Sequence, residues 1–93
     1  MERKLKDPDA VLDYGLNWKR EGDPWLADGE EIVTSEWIVP AGITKDSDSH
    51  TATVAIIWLS GGVLDALYTL TNRITTNQSR TDDRSIQIQI VNR

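Results

Sequence analysis

The chain has 93 residues, a formal net charge of -5 and a pI of about 4.6. That length, with 39% hydrophobic residues, suits one domain with a small core, and the absence of cysteine excludes a disulfide framework and Cys-type zinc sites. The acidic balance argues against nucleic acid or an anionic membrane as partner, because phosphate binding needs a basic footprint.

Residues 1–10, MERKLKDPDA, open with Arg3, Lys4 and Lys6, and Pro8 disfavours helix at Asp7. They read as an extended arm ahead of a single β-domain at 11–93. The segment lacks the apolar stretch of a signal peptide, so synthesis in a cytoplasm is expected. Leu12, Tyr14, Leu16 and Trp18 then alternate with Asp13, Gly15, Asn17 and Lys19, the period of a half-buried strand. Residues 20–29, REGDPWLADG, carry turn chemistry at Gly22-Asp23-Pro24 and Asp28-Gly29. Trp25 and Leu26 are large apolar residues inside that loop. The acids Glu21, Asp23, Asp28, Glu30, Glu31 and Glu36 run from there with no Lys or Arg among them. Such a run is either a solvated loop and strand edge or an acidic docking surface.

A second strand is predicted over 31–39, with Val33, Ser35, Trp37 and Val39 on one face, and Pro40 ends it. Residues 45–49, KDSDS, read as a polar loop. The next strand, over 52–59 within TATVAIIWLS, is apolar on both faces, which predicts a central strand covered on both sides. Gly61-Gly62 breaks it, and 63–67 has room for one turn of helix at most. Over 68–76, Tyr68, Leu70, Asn72 and Ile74 share one face, while Thr69, Thr71, Arg73 and Thr75 share the other. Residues 77–83 form a hairpin-type loop. Over 85–91, Ile86, Ile88 and Ile90 point one way and Gln87 and Gln89 the other. Short strands with turns between them and no helical period predict an antiparallel β-sandwich of about seven strands. Its predicted core is Tyr14, Leu16, Trp18, Trp37, Trp58, Tyr68, Leu70, Ile74, Ile86, Ile88 and Ile90.

Chemistry is sparse. His50 is the sole histidine, and the serines and aspartates near it belong to one loop rather than to the rigid elements that a triad needs. Asp46 and Asp48 begin like a calcium loop but lack its glycine and bidentate glutamate, which leaves at most a surface cation site. Asn77-Gln78-Ser79 matches a glycosylation pattern without a secretory context. No catalytic, cofactor-binding or metal residue is predicted.

Five segments occur in order: KDPDAVLDYGLNW (6–18), SEWIVPAGI (35–43), IWLSGG (57–62), YTLTNRITT (68–76) and RTDDRSI (80–86). Together they resemble the small tailed-phage and prophage proteins described as fiber–tail adaptors, which have an immunoglobulin-like fold. The chain departs from that pattern at the 77–80 turn and in a longer 20–30 loop. The resemblance implies a non-enzymatic virion tail component in multiple copies, made in the bacterial host cytoplasm. It would join the tail body to fibers or a neighbouring baseplate protein. Two other functions fit the sandwich class: a carbohydrate-binding module using Trp25 and another aromatic, and a small hydrolase centred on His50. A sugar site wants two or three coplanar exposed rings. The residues expected to meet partners are Trp25, Leu26, Arg73, Lys4 and Lys6, with Trp25 serving either as an anchor or as a plug over the sandwich end. Asn72 is expected to be buried and bonded to a loop backbone. The Thr69, Thr71, Arg73, Thr75 face is either solvated sheet or an assembly face on which Arg73 meets another subunit's acid.

Overall fold

The computed structural model describes residues 2–20 and 23–92; Glu21 and Gly22 of the expected loop lie outside the described residues. Its strands are β1 (Glu2–Lys6), β2 (Leu12–Asn17), β3 (Lys19–Arg20), β4 (Asp23–Pro24), β5 (Ile32–Ile38), β6 (Ile43–His50), β7 (Val54–Gly61), β8 (Leu67–Thr76) and β9 (Thr81–Ile90). β3 and β4 pair only with each other. The other seven form two sheets, ordered β1-β9-β8-β5 and β2-β7-β6. In an immunoglobulin sandwich the second, fifth and fourth strands share one sheet and the third, sixth and seventh the other. The same division holds here, with the first strand moved beside the last, parallel to it.

Strand alternation builds the core. Tyr14, Leu16, Trp18, Ala55, Ile57 and Leu59 point inward from one sheet, and Trp37, Tyr68, Leu70, Ile74, Ile86, Ile88 and Ile90 from the other. Tyr68 closes the turn before β8: its hydroxyl accepts the Val63 N–H at 3.1 Å. A tyrosine bonded back to the backbone a few residues upstream is a corner device of this fold. Gly62 belongs to the same corner. It has φ +101, and a Cβ there would lie 2.5 Å from Ile90 Cδ1, so only glycine fits without displacing the core.

The structure corrects several expectations. Residues 2–6 are extended but do not form a free arm, since β1 pairs with β9 from Glu2↔Ile86 to Lys6↔Ile90. KDSDS is not a loop. It lies within β6, an edge strand paired only to β7, with a register shift between Lys45 and Ser47. An edge strand needs one bonded neighbour and little burial, and charges and a bulge protect it from further pairing. β7 is central in its sheet, but among the described residues it is covered on one face only. Trp58, placed in the core by sequence, alternates outward from Ile57 and Leu59 and is 40% exposed. The 77–83 loop shrinks to a turn because β9 already begins at Thr81. Residues 63–67 hold no helix; Asp65 there takes φ 69.

Candidate partner-binding surfaces

At one end of the sandwich the 25–30 loop meets the β8–β9 turn. Trp18 continues the inward alternation of β2 and is fully buried. Its backbone carbonyl accepts from Trp25 N (2.9 Å) and Leu26 N (3.1 Å), folding the loop back over the core. The Trp25 ring packs edge-on to Trp18, with centroids 5.2 Å apart at 69°. Arg80 covers Trp25 at 4.2 Å, and Arg84 lies 4.8 Å from the centre of the Trp18 ring. Trp25 is therefore half-buried against Trp18, with a cation above its ring. Leu26, expected at an interface, is 2% exposed and belongs to the core, because the two backbone bonds to Trp18 turn it inward.

Glu30 holds this end together. Its Oε2 accepts from Arg80 Nε at 2.8 Å and from Thr76 Oγ1 at 2.6 Å, while Oε1 accepts from Ala27 N at 3.0 Å and from the Arg80 Nη2. Arg80 Nη2 also donates to the Trp25 carbonyl at 3.1 Å. The carboxylate is buried, and hydrogen bonds from Arg80 first and Thr76 second lower its pKa from 4.5 to about 2. Sequence reading missed Glu30, Thr76 and Arg80. The partners are 46 and 50 residues apart, and nothing local signals such a pair.

A depressed carboxylate contributes stability that is complete above its unfolded pKa and disappears as pH falls through its folded pKa. Glu30→Gln should therefore be less stable than the parent at neutral pH. The difference should close between pH about 4.5 and about 2. Urea unfolding across that range checks it; a gap that persists unchanged at pH 2 would rule out the clamp.

Lys6 was expected to be free for partners. It is fully buried, with Nζ donating to the carbonyls of Gly61 (2.7 Å) and Asp7 (2.9 Å). Burial pushes its ammonium below the ordinary value, against the pull of Asp7, Asp46 and Asp9. Lys6 thus ties β1 of one sheet to the end of β7 in the other. Lys4, two residues earlier on the same strand, is half-buried. Arg73 stays exposed, but its acid comes from its own chain: Nε and Nη2 donate to the Asp83 carboxylate at 2.8 and 2.9 Å across β8 and β9. That pair is cross-strand in register, which a sequence that misses the true start of β9 cannot show.

The other proposed chemistry is dispersed. Asp46 accepts from Ser60 Oγ at 2.9 Å, and Asp48 pairs with Lys45 at 3.0 Å. Among the described residues no three His, Cys, Asp or Glu side chains gather as metal ligands. His50 ends the edge strand β6, exposed, with Nδ1 3.0 Å from the Thr51 carbonyl. The tryptophans form no shared platform. Trp18 and Trp37 are buried, Trp25 lies under Arg80, and Trp58 stands on the outer face of the three-stranded sheet.

At the opposite end of the sandwich exposed aliphatic side chains stand among acids, with Asp7, Asp9 and Asp46 around Lys6 and Asp65 beside Leu64. Leu5 on β1 and Leu67 on β8 flank Gln89 of β9 in register, and Val11, Leu12, Val63 and Leu64 lie in the adjoining segments, all exposed. Lys6 gathers these segments, since it bonds Gly61 and Asp7 at once. The two ends thus differ in chemistry: a charged, stapled loop at one and exposed aliphatic side chains at the other.

The protein family described as podophage GP4 fiber-tail adaptor protein gp77 matches residues 6–89. A comparison with curated proteins gives no match.

Proposed function

Because the chain belongs to the podophage GP4 fiber-tail adaptor family, we propose that this sandwich is a non-enzymatic link between the phage tail body and its fibers or a neighbouring baseplate protein. The observation that carries the reading is the extent of the match, which runs from Lys6 to Gln89 and so takes in both sheets. The contrast between the two ends supports it. A link must hold two partners, and the body measures 41 Å along its longest axis, with a charged loop end and an aliphatic end. At the loop end, contact is made through the half-exposed edge of Trp25, through Asp28, and through Arg80, whose guanidinium the Glu30 carboxylate holds in place. At the other end, Leu5, Leu67, Val63 and Leu64 supply the apolar centre that interfaces favour. The partners are other tail or fiber proteins, several copies enter each virion, and synthesis takes place in the host cytoplasm.

Depletion tests this reading. Particles assembled without the chain should keep filled heads but lack fiber protein by mass spectrometry, and supplying the chain should restore it. Fully fibered particles made without the chain would end the adaptor proposal.

A further inference from the structure

β7 carries a contradiction between pattern and cover. Its inner residues Ala55, Ile57 and Leu59 are fully buried, yet its outer residues Val54, Ile56 and Trp58 are also apolar. Continuous apolar runs belong to strands covered on both faces. Among the described residues no strand packs over the outer face, and Trp58 is left 40% exposed. The neighbours in register are small or acidic: Asp13 and Ser47 flank Trp58, Gly15 and Ser49 flank Ile56, and Asn17 stands beside Val54.

Gly15 is a second, independent sign. The β2–β7 register runs unbroken from Leu12 to Asn17, so no bulge calls for glycine. A Cβ at Gly15 would make only ordinary contact, 3.5 Å from Val54 Cγ1, so the domain itself leaves room for a side chain. Glycine inside a strand weakens it, and without a bulge or bend it often marks the close approach of another backbone. Charge adds a third sign. Asp13 is exposed, and its carboxylate makes no hydrogen bond or ion pair among the described residues. None of the residues in register on this face is Lys or Arg.

We propose that the outer face of β2-β7-β6 docks an extended, basic segment of a neighbouring tail protein, with its backbone over Gly15, apolar side chains on Val54 and Ile56, and a Lys or Arg over Trp58 beside Asp13. An exposed tryptophan attracts a cation to its ring face, an adjacent carboxylate adds charge complementarity, and tryptophan is a preferred interface anchor. The partner's identity as a tail protein rests on the adaptor reading; the surface does not.

The experiment therefore has two arms. In the first, the isolated domain is titrated with a capped Val-Arg-Val-Arg-Val peptide and followed by amide and indole NMR. Saturable shifts at Gly15 and Trp58 are expected, absent when glutamate replaces arginine in the peptide and absent in Gly15→Val. In the second, Trp58→Ala and Asp13→Lys chains are incorporated into tails. Both should melt within a few degrees of the parent, because the two side chains are exposed, yet enter tails at least about tenfold less. No shifts in the first arm, or full incorporation in the second, overturns the proposal. Parent chains that dimerise through Trp58 also overturn it, by making a second copy the occupant. Shifts in the first arm with the chain absent from particles leave the surface standing and remove the adaptor reading.

Discussion

Trp18→Ala should lower the melting temperature of the domain by on the order of 20 °C. Removing a buried tryptophan costs about 3–5 kcal/mol, and about 1 kcal/mol shifts a domain of this size by roughly 4–8 °C. The position adds to that cost. Trp18 is fully buried and supports the edge-on ring of Trp25. Its indole N–H donates to Asn72 Oδ1 at 2.9 Å, and Arg84 lies against its ring. Truncation opens a cavity at the joint between core and loop, so the 25–30 loop should lose protection from hydrogen exchange along with the core. Differential scanning calorimetry and exchange measured by mass spectrometry read both effects. A fall of only a few degrees would show that the loop closes over the cavity and that Trp18 is not the keystone of this end.

The second large effect is expected at Asn72. The residue is fully buried and spans the sandwich: Oδ1 accepts from Trp18 in the opposite sheet, while Nδ2 donates to Ser35 Oγ at 2.9 Å and to the Glu36 carbonyl at 3.1 Å. Asn72→Leu keeps the volume but leaves the Trp18 N–H buried and unbonded. An orphaned buried donor costs about 1–3 kcal/mol, which corresponds to a drop of roughly 4–24 °C. Trp18→Phe in the same background removes that donor. The double variant should therefore be more stable than the sum of the two single losses, with a coupling of about 0.5–3 kcal/mol. Strict additivity in urea unfolding would mean that the bond across the sheets contributes nothing.

Asn72 also shows how far local pattern reaches. Its place among Tyr68, Leu70 and Ile74 follows from the two-residue period of a strand, and that period alone predicts a buried amide in need of partners. Which partners it finds is another matter. The expected loop backbone proved to be a tryptophan from the other sheet, a serine and a strand carbonyl. Those three sit at sequence separations of 54, 37 and 36, beyond what any local period carries.

The same division runs through the fold and the candidate surfaces. The sequence by itself determined the class, an all-β sandwich, and most of the core: Tyr14, Leu16, Trp18, Trp37, Tyr68, Leu70, Ile74, Ile86, Ile88 and Ile90 are all buried. Alternation is a property of consecutive residues, and burying one face of each strand is the dominant gain on folding. The tertiary structure alone decided which strand lies at an edge, which face lacks a cover and which charges meet. KDSDS could be a strand because only β7 lies beside it. Trp58 was left outside because an apolar run on both faces does not say which face its own domain will cover. Lys6 was drawn inside by carbonyls, one of them from residue 61, and Glu30 by an arginine 50 residues away. Each of these outcomes depends on the order of strands in the sheets, and that order is set by pairing between distant segments rather than by the composition of any one of them.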